Sequence, residues 1–136
     1  MRVKCILEYP TDQHFERLGD LYRRQAFGVT VGKKYVVLGV AFHINLPGFG
    51  TGVQIQFVND NGNIGFAPLF LFEIIDGRPS RHWEARFDED GSFQLQPSSF
   101  YKKYYHDDLS DGVEEVVEDF NRVRGLLEDE SVGEST

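Results

Sequence analysis

The amino-acid sequence predicts a mainly β domain of the α+β class: a small antiparallel barrel or strongly bent sheet of five to six strands, followed by a C-terminal amphipathic helix. Three features carry that expectation. Short runs rich in β-branched and aromatic residues recur at close intervals, separated by Gly, Pro, Asn and Asp. VQIQFVN (53–59), and HWEARFD (82–88) with SFQLQ (92–96), alternate apolar and polar residues. Only the last segment, about 111–128, repeats its apolar residues at helical spacing. A chain of 136 residues makes one domain, 1–130, with a β-rich body over 1–100 and a disordered tail over 131–136.

RVKCILE (Arg2 to Glu8) opens the chain as a strand that Pro10 ends. TDQHFERLGDLYRR puts Phe15, Leu18, Leu21 and Tyr22 at helical spacing behind Thr11 or Asp12 as cap, while Gly19 weakens the pattern. Residues 10–28 therefore read equally as a short helix or an ordered loop. Gly32-Lys33 turns the chain into a strand from Lys34 to Ile44, and NLPGFGTG is a loop. Asn61-Gly62 predicts a type I′ hairpin turn, since both residues tolerate positive φ, and Ile64 to Ala67 returns.

LFLFEIID runs to Asp76, and GRPS turns the chain. Glu89 to Gly91 joins a second hairpin, with Trp83, Ala85 and Phe87 on one face and His82, Glu84 and Arg86 on the other. PSSFYKK leaves the sheet. In the final helix Ser110 or Asp111 serves as cap, and Asp111 with Glu114 has capping-box spacing. Val113, Val116, Val117, Phe120, Val123 and Leu127 form its apolar stripe.

Aromatic residues make up 14% of the chain, twelve of them Phe, which suits a core that few strands must fill. The net charge of −8 is unevenly placed. From Asp107 onward eleven acids face only Arg122 and Arg124, whereas residues 1–106 carry eleven acids and twelve bases. A nearly neutral body thus bears an acidic C-terminal arm, which repels nucleic-acid backbones and membrane surfaces and speeds encounter with a basic protein. The single Cys5, in an apolar run, reads as a small core residue, and no intramolecular disulfide can form. Neither a secretory leader nor a membrane span is read, so a cytoplasmic protein is expected.

Two stretches raise the question of function. FYKKYYHDDL (100–109) could be a metal site, a nucleic-acid strip or the seam between sheet and helix. Adjacent His106, Asp107 and Asp108 cannot all reach one ion in regular structure, and two lysines beside an acidic arm hold phosphates poorly. The seam reading is preferred, with Phe100, Tyr104 and Tyr105 anchoring the crossing and Leu109 acting as a hydrophobic staple. GRPSRHWEAR (77–86) gathers Arg78, Arg81 and Arg86 beside Trp83. It reads as a turn with its arginines paired to Glu84 or Asp88, as a protein interface anchored on Trp83 and Arg81, or as a small-anion site. No catalytic motif of recognised spacing occurs, and neither cofactor nor metal is expected.

VKCIL, VTVGKKYVVL, VQIQFVNDNGN and LFEI together resemble a small SH3-like β-barrel group of bacterial and phage proteins, some of which are toxin-immunity proteins. The matching residues are Lys4, Cys5, Ile6, Thr30, Gly32, Lys33, Tyr35, Val37, Asp60, Gly62, Phe72 and Glu73. The likeness spans about half the chain and implies a barrel. It leaves the extra residues 10–28, the 45–52 loop and everything after Asp76 as this chain's own. The leading expectation is a non-catalytic protein-binding module, in its sharpest form an immunity-type inhibitor. Its acidic helix (Glu114, Glu115, Glu118, Asp119) meets a basic partner, with Trp83 and Arg81 as anchors. The alternative is a regulatory barrel holding a small anion on Arg78, Arg81 and Arg86, and the third is an enzyme. A homodimer through an exposed edge strand is also open.

Overall fold

The structure is a computed structural model and describes residues 1–11, 14, 26–46 and 50–134. The N-terminal helix expected behind Thr11 lies outside the described residues apart from His14. Among the described residues, eight strands form two antiparallel sheets. β1 (Arg2–Cys5), β2 (Lys34–Val36) and β6 (Phe72–Asp76) make a three-stranded sheet in the order β2-β1-β6. β3 (Gly39–Leu46), β4 (Gly50–Val58), β5 (Ile64–Pro68), β7 (Trp83–Phe87) and β8 (Phe93–Pro97) make a five-stranded sheet in the order β5-β4-β3-β8-β7. The mainly β, α+β class is thus as expected. Two sheets replace the single bent one, however, and they do not close into a barrel.

The strand expected over Lys34 to Ile44 divides in two. Val37 and Leu38 are consecutive and both buried, so the two-residue alternation breaks between them. The Val37 N–H donates to Met1 O in the small sheet, and the Leu38 N–H donates to Gln56 O in the large one. The chain changes sheets at that peptide. It changes back after β5 through a 3-10 turn at Leu69–Leu71.

The first hairpin forms at the predicted residues with a different turn. Gly62 has φ 80°, but Asn61 is not left-handed, so the turn is not type I′. Gly62 N–H donates to Asn59 O, and Asn59 N–H donates to Asn63 O. The Asn59 side-chain oxygen accepts from the N–H groups of Asn61 and Asn63. A side chain that satisfies the turn's own donors favours a right-handed turn closed by one glycine.

The apolar residues collect in two clusters. Val3, Cys5, Tyr35, Val37, Ile55, Phe57, Leu71 and Phe72 are packed together, with rings edge-on for Tyr35 to Phe57 and for Phe57 to Phe72. Leu38, Phe100, Tyr105, Phe120, Val123 and Leu127 form the second. Trp83 packs against both, and its Nε1–H donates to Leu38 O at 2.9 Å.

FYKKYYHDDL is the crossing to the helices, built as a 3-10 turn (Ser98–Tyr101) followed by a short helix α1 (Tyr105–Ser110). Phe100 and Tyr105 are buried as expected, whereas Tyr104, left-handed at φ 63°, is exposed and anchors nothing. The expected cap residues serve α1 instead: Ser110 is its last residue, Asp111 its C-cap, and Gly112 (φ 74°) ends it. The long helix α2 (Glu114–Glu134) therefore begins after Val113, which stays exposed. Its buried stripe of Phe120, Val123 and Leu127 is worth about 1.5–3 kcal/mol per side chain removed from water. The stripe continues to Ser131, only 1% exposed, so the helix runs on where a frayed tail was expected.

Candidate functional site

Pleating sends alternate side chains of the large sheet to one face. On the face turned away from the inter-sheet cluster stand Gly39, Ala41 and His43 of β3, Gln54 and Gln56 of β4, and Gln94 and Gln96 of β8. Ala41 is paired with Gln54 on one side and Gln94 on the other, so these three form one row. Gly39 is paired with Gln56, and a Cβ placed on Gly39 would lie 3.2 Å from the Cβ of Gln96. With strands ~4.8 Å apart and alternate residues ~6.7 Å apart, the four glutamines frame a rectangle of roughly 10 by 7 Å. Its floor is the two smallest residues of β3.

A cavity of about 420 Å³ opens over this floor. Phe66, paired with Gln56 on β5, Phe100 and His106 bound it at the Gly39 end, and His43 and Leu46 lie further along β3. The polar face of β4 is buried. Gln56 is only 2% exposed, because the 3-10 turn and α1 lie against that end of the sheet.

Gln56 Nε2 lies 3.3 Å from His106 Nε2. An amide nitrogen only donates, so the imidazole Nε2 accepts and the ring proton sits on Nδ1. Burial pushes the His106 pKa down, with Asp107 opposing the effect, which keeps the ring neutral. Gln56 Oε1 and His106 Nδ1 are buried without a hydrogen-bond partner among the described residues. The oxygen stands 2.9 Å from where a Gly39 Cβ would be, directly over the floor of the groove. The site thus presents an unfilled acceptor and an unfilled donor, both uncharged.

The residues singled out in the sequence lie elsewhere. Arg78 grips Asp76 through two nitrogens at 2.9 and 3.0 Å, holding that carboxyl well below the usual range. Arg81 faces the buried carboxylate of Glu130, with its own side chain 79% exposed. Arg86 pairs with Glu84 at 3.3 Å and lies over the Tyr101 ring. The three arginines therefore address three different acids. Of the three, only Arg86 lines a cavity described here, a cleft of about 490 Å³ shared with Lys102, Asp119 and Arg122. Trp83 is half-buried and spent on the core.

On α2, Glu114, Glu115 and Glu118 are exposed. Asp119 accepts from Tyr105 OH and Arg122. Burial works to raise its pKa, and those hydrogen bonds outweigh it, so the net shift is downward. A second polar knot is built from residues that carried the barrel resemblance. Thr30 Oγ1, Lys33 Nζ and Tyr35 OH all donate to Asp60, at 2.7, 2.7 and 2.8 Å. It ties the 30–35 segment to the first hairpin.

The groove was not read from the sequence, although a signal is present. VQIQF and FQLQP both carry Gln-x-Gln, four neutral amides where solvent-facing strands ordinarily mix charges. Comparison of the chain with protein-family models, with curated proteins and with solved structures finds no match in any of the three.

Proposed function

We propose that the protein is a non-catalytic binding module that holds a small, uncharged, hydrogen-bonding ligand over Gly39 and Ala41, within the frame of Gln54, Gln56, Gln94 and Gln96. The observation that supports this reading most is the buried, unpartnered Oε1 of Gln56 above a floor without bulk. Leaving such an acceptor unpaired costs about 1–3 kcal/mol, which a ligand N–H or O–H would recover. Primary amides neither gain nor lose protons near neutral pH, so the lining suits recognition rather than proton transfer. A cavity of about 420 Å³ lies within the range of small-ligand sites. A flat ring with donors and acceptors on its edge, such as a monosaccharide or a free nucleobase, matches the frame.

The test is thermal unfolding and calorimetry with neutral sugars and nucleobases, with phosphate and citrate as charged controls. A neutral compound should raise the melting temperature, and Gln94→Ala should abolish the shift. Stabilisation by the anions alone, or a shift that survives Gln94→Ala, would overturn the assignment.

One observation favours a second reading, a protein-binding module of the immunity type. Glu114, Glu115 and Glu118 are exposed on the first turns of α2, and no ion pair engages them among the described residues. A basic partner bound there would lose affinity as salt rises and on neutralising the three acids to Gln. Binding indifferent to both would end this reading.

A further inference from the structure

Among the described residues, β7 stands at the free edge of the five-stranded sheet. Across its hairpin, Asp88 N–H donates to Ser92 O. Hydrogen-bonded pairs alternate along an antiparallel ladder, so the main-chain groups of Arg86 and Glu84 also face β8, and those of Ala85 and Phe87 face outward. Such edges are ordinarily blunted by Pro, Lys, a bulge or a covering segment. β7 contains neither Pro nor Lys, its pairing shows no register shift, and Glu84 to Phe87 are all exposed. Phe87 is 73% exposed, the most of any large apolar side chain among the described residues.

We propose that β7 pairs antiparallel with β7 of a second copy about a two-fold axis at Ala85, joining two five-stranded sheets into one. The strand is complementary to itself in this register. Ala85 meets Ala85 of the second copy in a hydrogen-bonded pair. Glu84 of each chain then faces Arg86 of the other, and Trp83 faces Phe87. The Glu84–Arg86 pairs fall at non-hydrogen-bonded sites, where side chains approach most closely. In the single chain Arg86 Nη2 already lies 3.3 Å from Glu84 Oε2, with both side chains about half exposed, so pairing exchanges one internal contact in each chain for two between chains. Moving the axis to Glu84 or to Arg86 sets like charges opposite each other, which the Ala85 register avoids.

Two consequences follow from an axis perpendicular to the sheet. Both glutamine-framed grooves open on the same side of the dimer. On the other side, the row formed by Phe42, Phe93 and Phe87 continues into Trp83 of the second copy. The charge of −8 per chain opposes association, so the dimer should be weak and its population should rise with concentration and with salt.

Sedimentation velocity on the full chain, from low micromolar to submillimolar concentration, tests this. The parent should shift from monomer to dimer, and Arg86→Glu should remain monomeric. Glu84→Arg combined with Arg86→Glu should dimerise again, because opposite charges once more face across the axis. Should Arg86→Glu lose its fold with the Tyr101 contact, Glu84→Arg alone carries the same monomeric expectation. A parent that stays monomeric throughout overturns the proposal. So does a dimer indifferent to both single changes, or a folded double variant that stays monomeric.

Discussion

Gln56 and His106, fifty positions apart in the chain, meet at 3.3 Å between Nε2 atoms on the covered face of the large sheet. The contact joins β4 to α1, and it leaves the Gln56 carbonyl free above the smallest residues of β3. One side chain therefore links the fold of the C-terminal third to the shape of the groove. The polar face of β4 is buried because α1 returns over it.

Gly39 is the position where that shape is most exposed to test. A Cβ added there would meet Gln56 Oε1 at 2.9 Å and Leu95 O at 3.1 Å. The amide can swing away, but the backbone carbonyl of β8 cannot move without disturbing the β3–β8 ladder. Gly39→Ala should cost about 1–2 kcal/mol and displace the Gln56 amide from the floor. Urea denaturation reads the first effect, and loss of ligand-induced stabilisation reads the second. A variant as stable as the parent that still responds to ligand would show the floor to be roomier than this geometry allows.

His106 gives the groove a pH dependence whose sign is determined. Burial lowers its folded-state pKa below the ordinary histidine value of about 6.5. As pH falls through about 6.5 the unfolded chain takes up the proton first, so stability is full above that value and erodes below it. The unfolding free energy should drop between pH 7 and 5.5, and His106→Asn should show a smaller drop over the same interval. Proton NMR of the imidazole gives the pKa directly, and a value at or above 6.5 would contradict the burial argument.

These residues also show what is legible in the chain. Alternation reveals which side chains of 53–59 share a face, and the apolar pair Ile55 and Phe57 on one of those faces is buried. It cannot reveal what lies on the opposite face, so the burial of Gln54 and Gln56 is not legible in the chain. The sheet change at Val37-Leu38 is hidden for a related reason, since two successive apolar residues look like one continuous strand. Arg78, Arg81 and Arg86 are neighbours in sequence yet answer to different acids. The cations that do share a cleft, Arg86, Lys102 and Arg122, come from three separate segments. The Thr30, Lys33, Tyr35 and Asp60 pattern is visible as turn chemistry, but its convergence on one carboxylate appears only when the 30–35 segment meets the first hairpin.

Trp83 tests the join between the two apolar clusters. Its ring packs against both, and its Nε1–H is spent on Leu38 O at the point where the chain changes sheets. Trp83→Phe keeps an aromatic ring but leaves that carbonyl without its indole donor and opens a small void. The expected loss is about 2–3 kcal/mol in urea denaturation. Circular dichroism must follow it, since Trp83 is the sole tryptophan. A change below about 0.5 kcal/mol, the level of ordinary surface substitutions, would mean that the join does not depend on this side chain.

Asp60 holds the opposite corner through charge. The hydrogen bond from Lys33 first, then those from Thr30 and Tyr35, bring its pKa down to about 2 against the opposing effect of burial. A carboxylate depressed below its unfolded value of about 3.9 stabilises the fold fully above that pH, and the benefit disappears as pH falls through about 2. Water reaches both partners of the Lys33 pair, which discounts the effect, so Asp60→Asn should cost about 1–2 kcal/mol at pH 7. The gap between parent and variant should close between about pH 4 and pH 2. On the alkaline side, burial and then the Asp60 contact push Tyr35 up to about 12. Its contribution is therefore complete below about pH 10 and lost as pH climbs towards 12, an effect that Tyr35→Phe removes. Denaturant titrations across both ranges measure these differences, and a parent–variant gap that persists unchanged at pH 2 would exclude the Asp60 charge as its source.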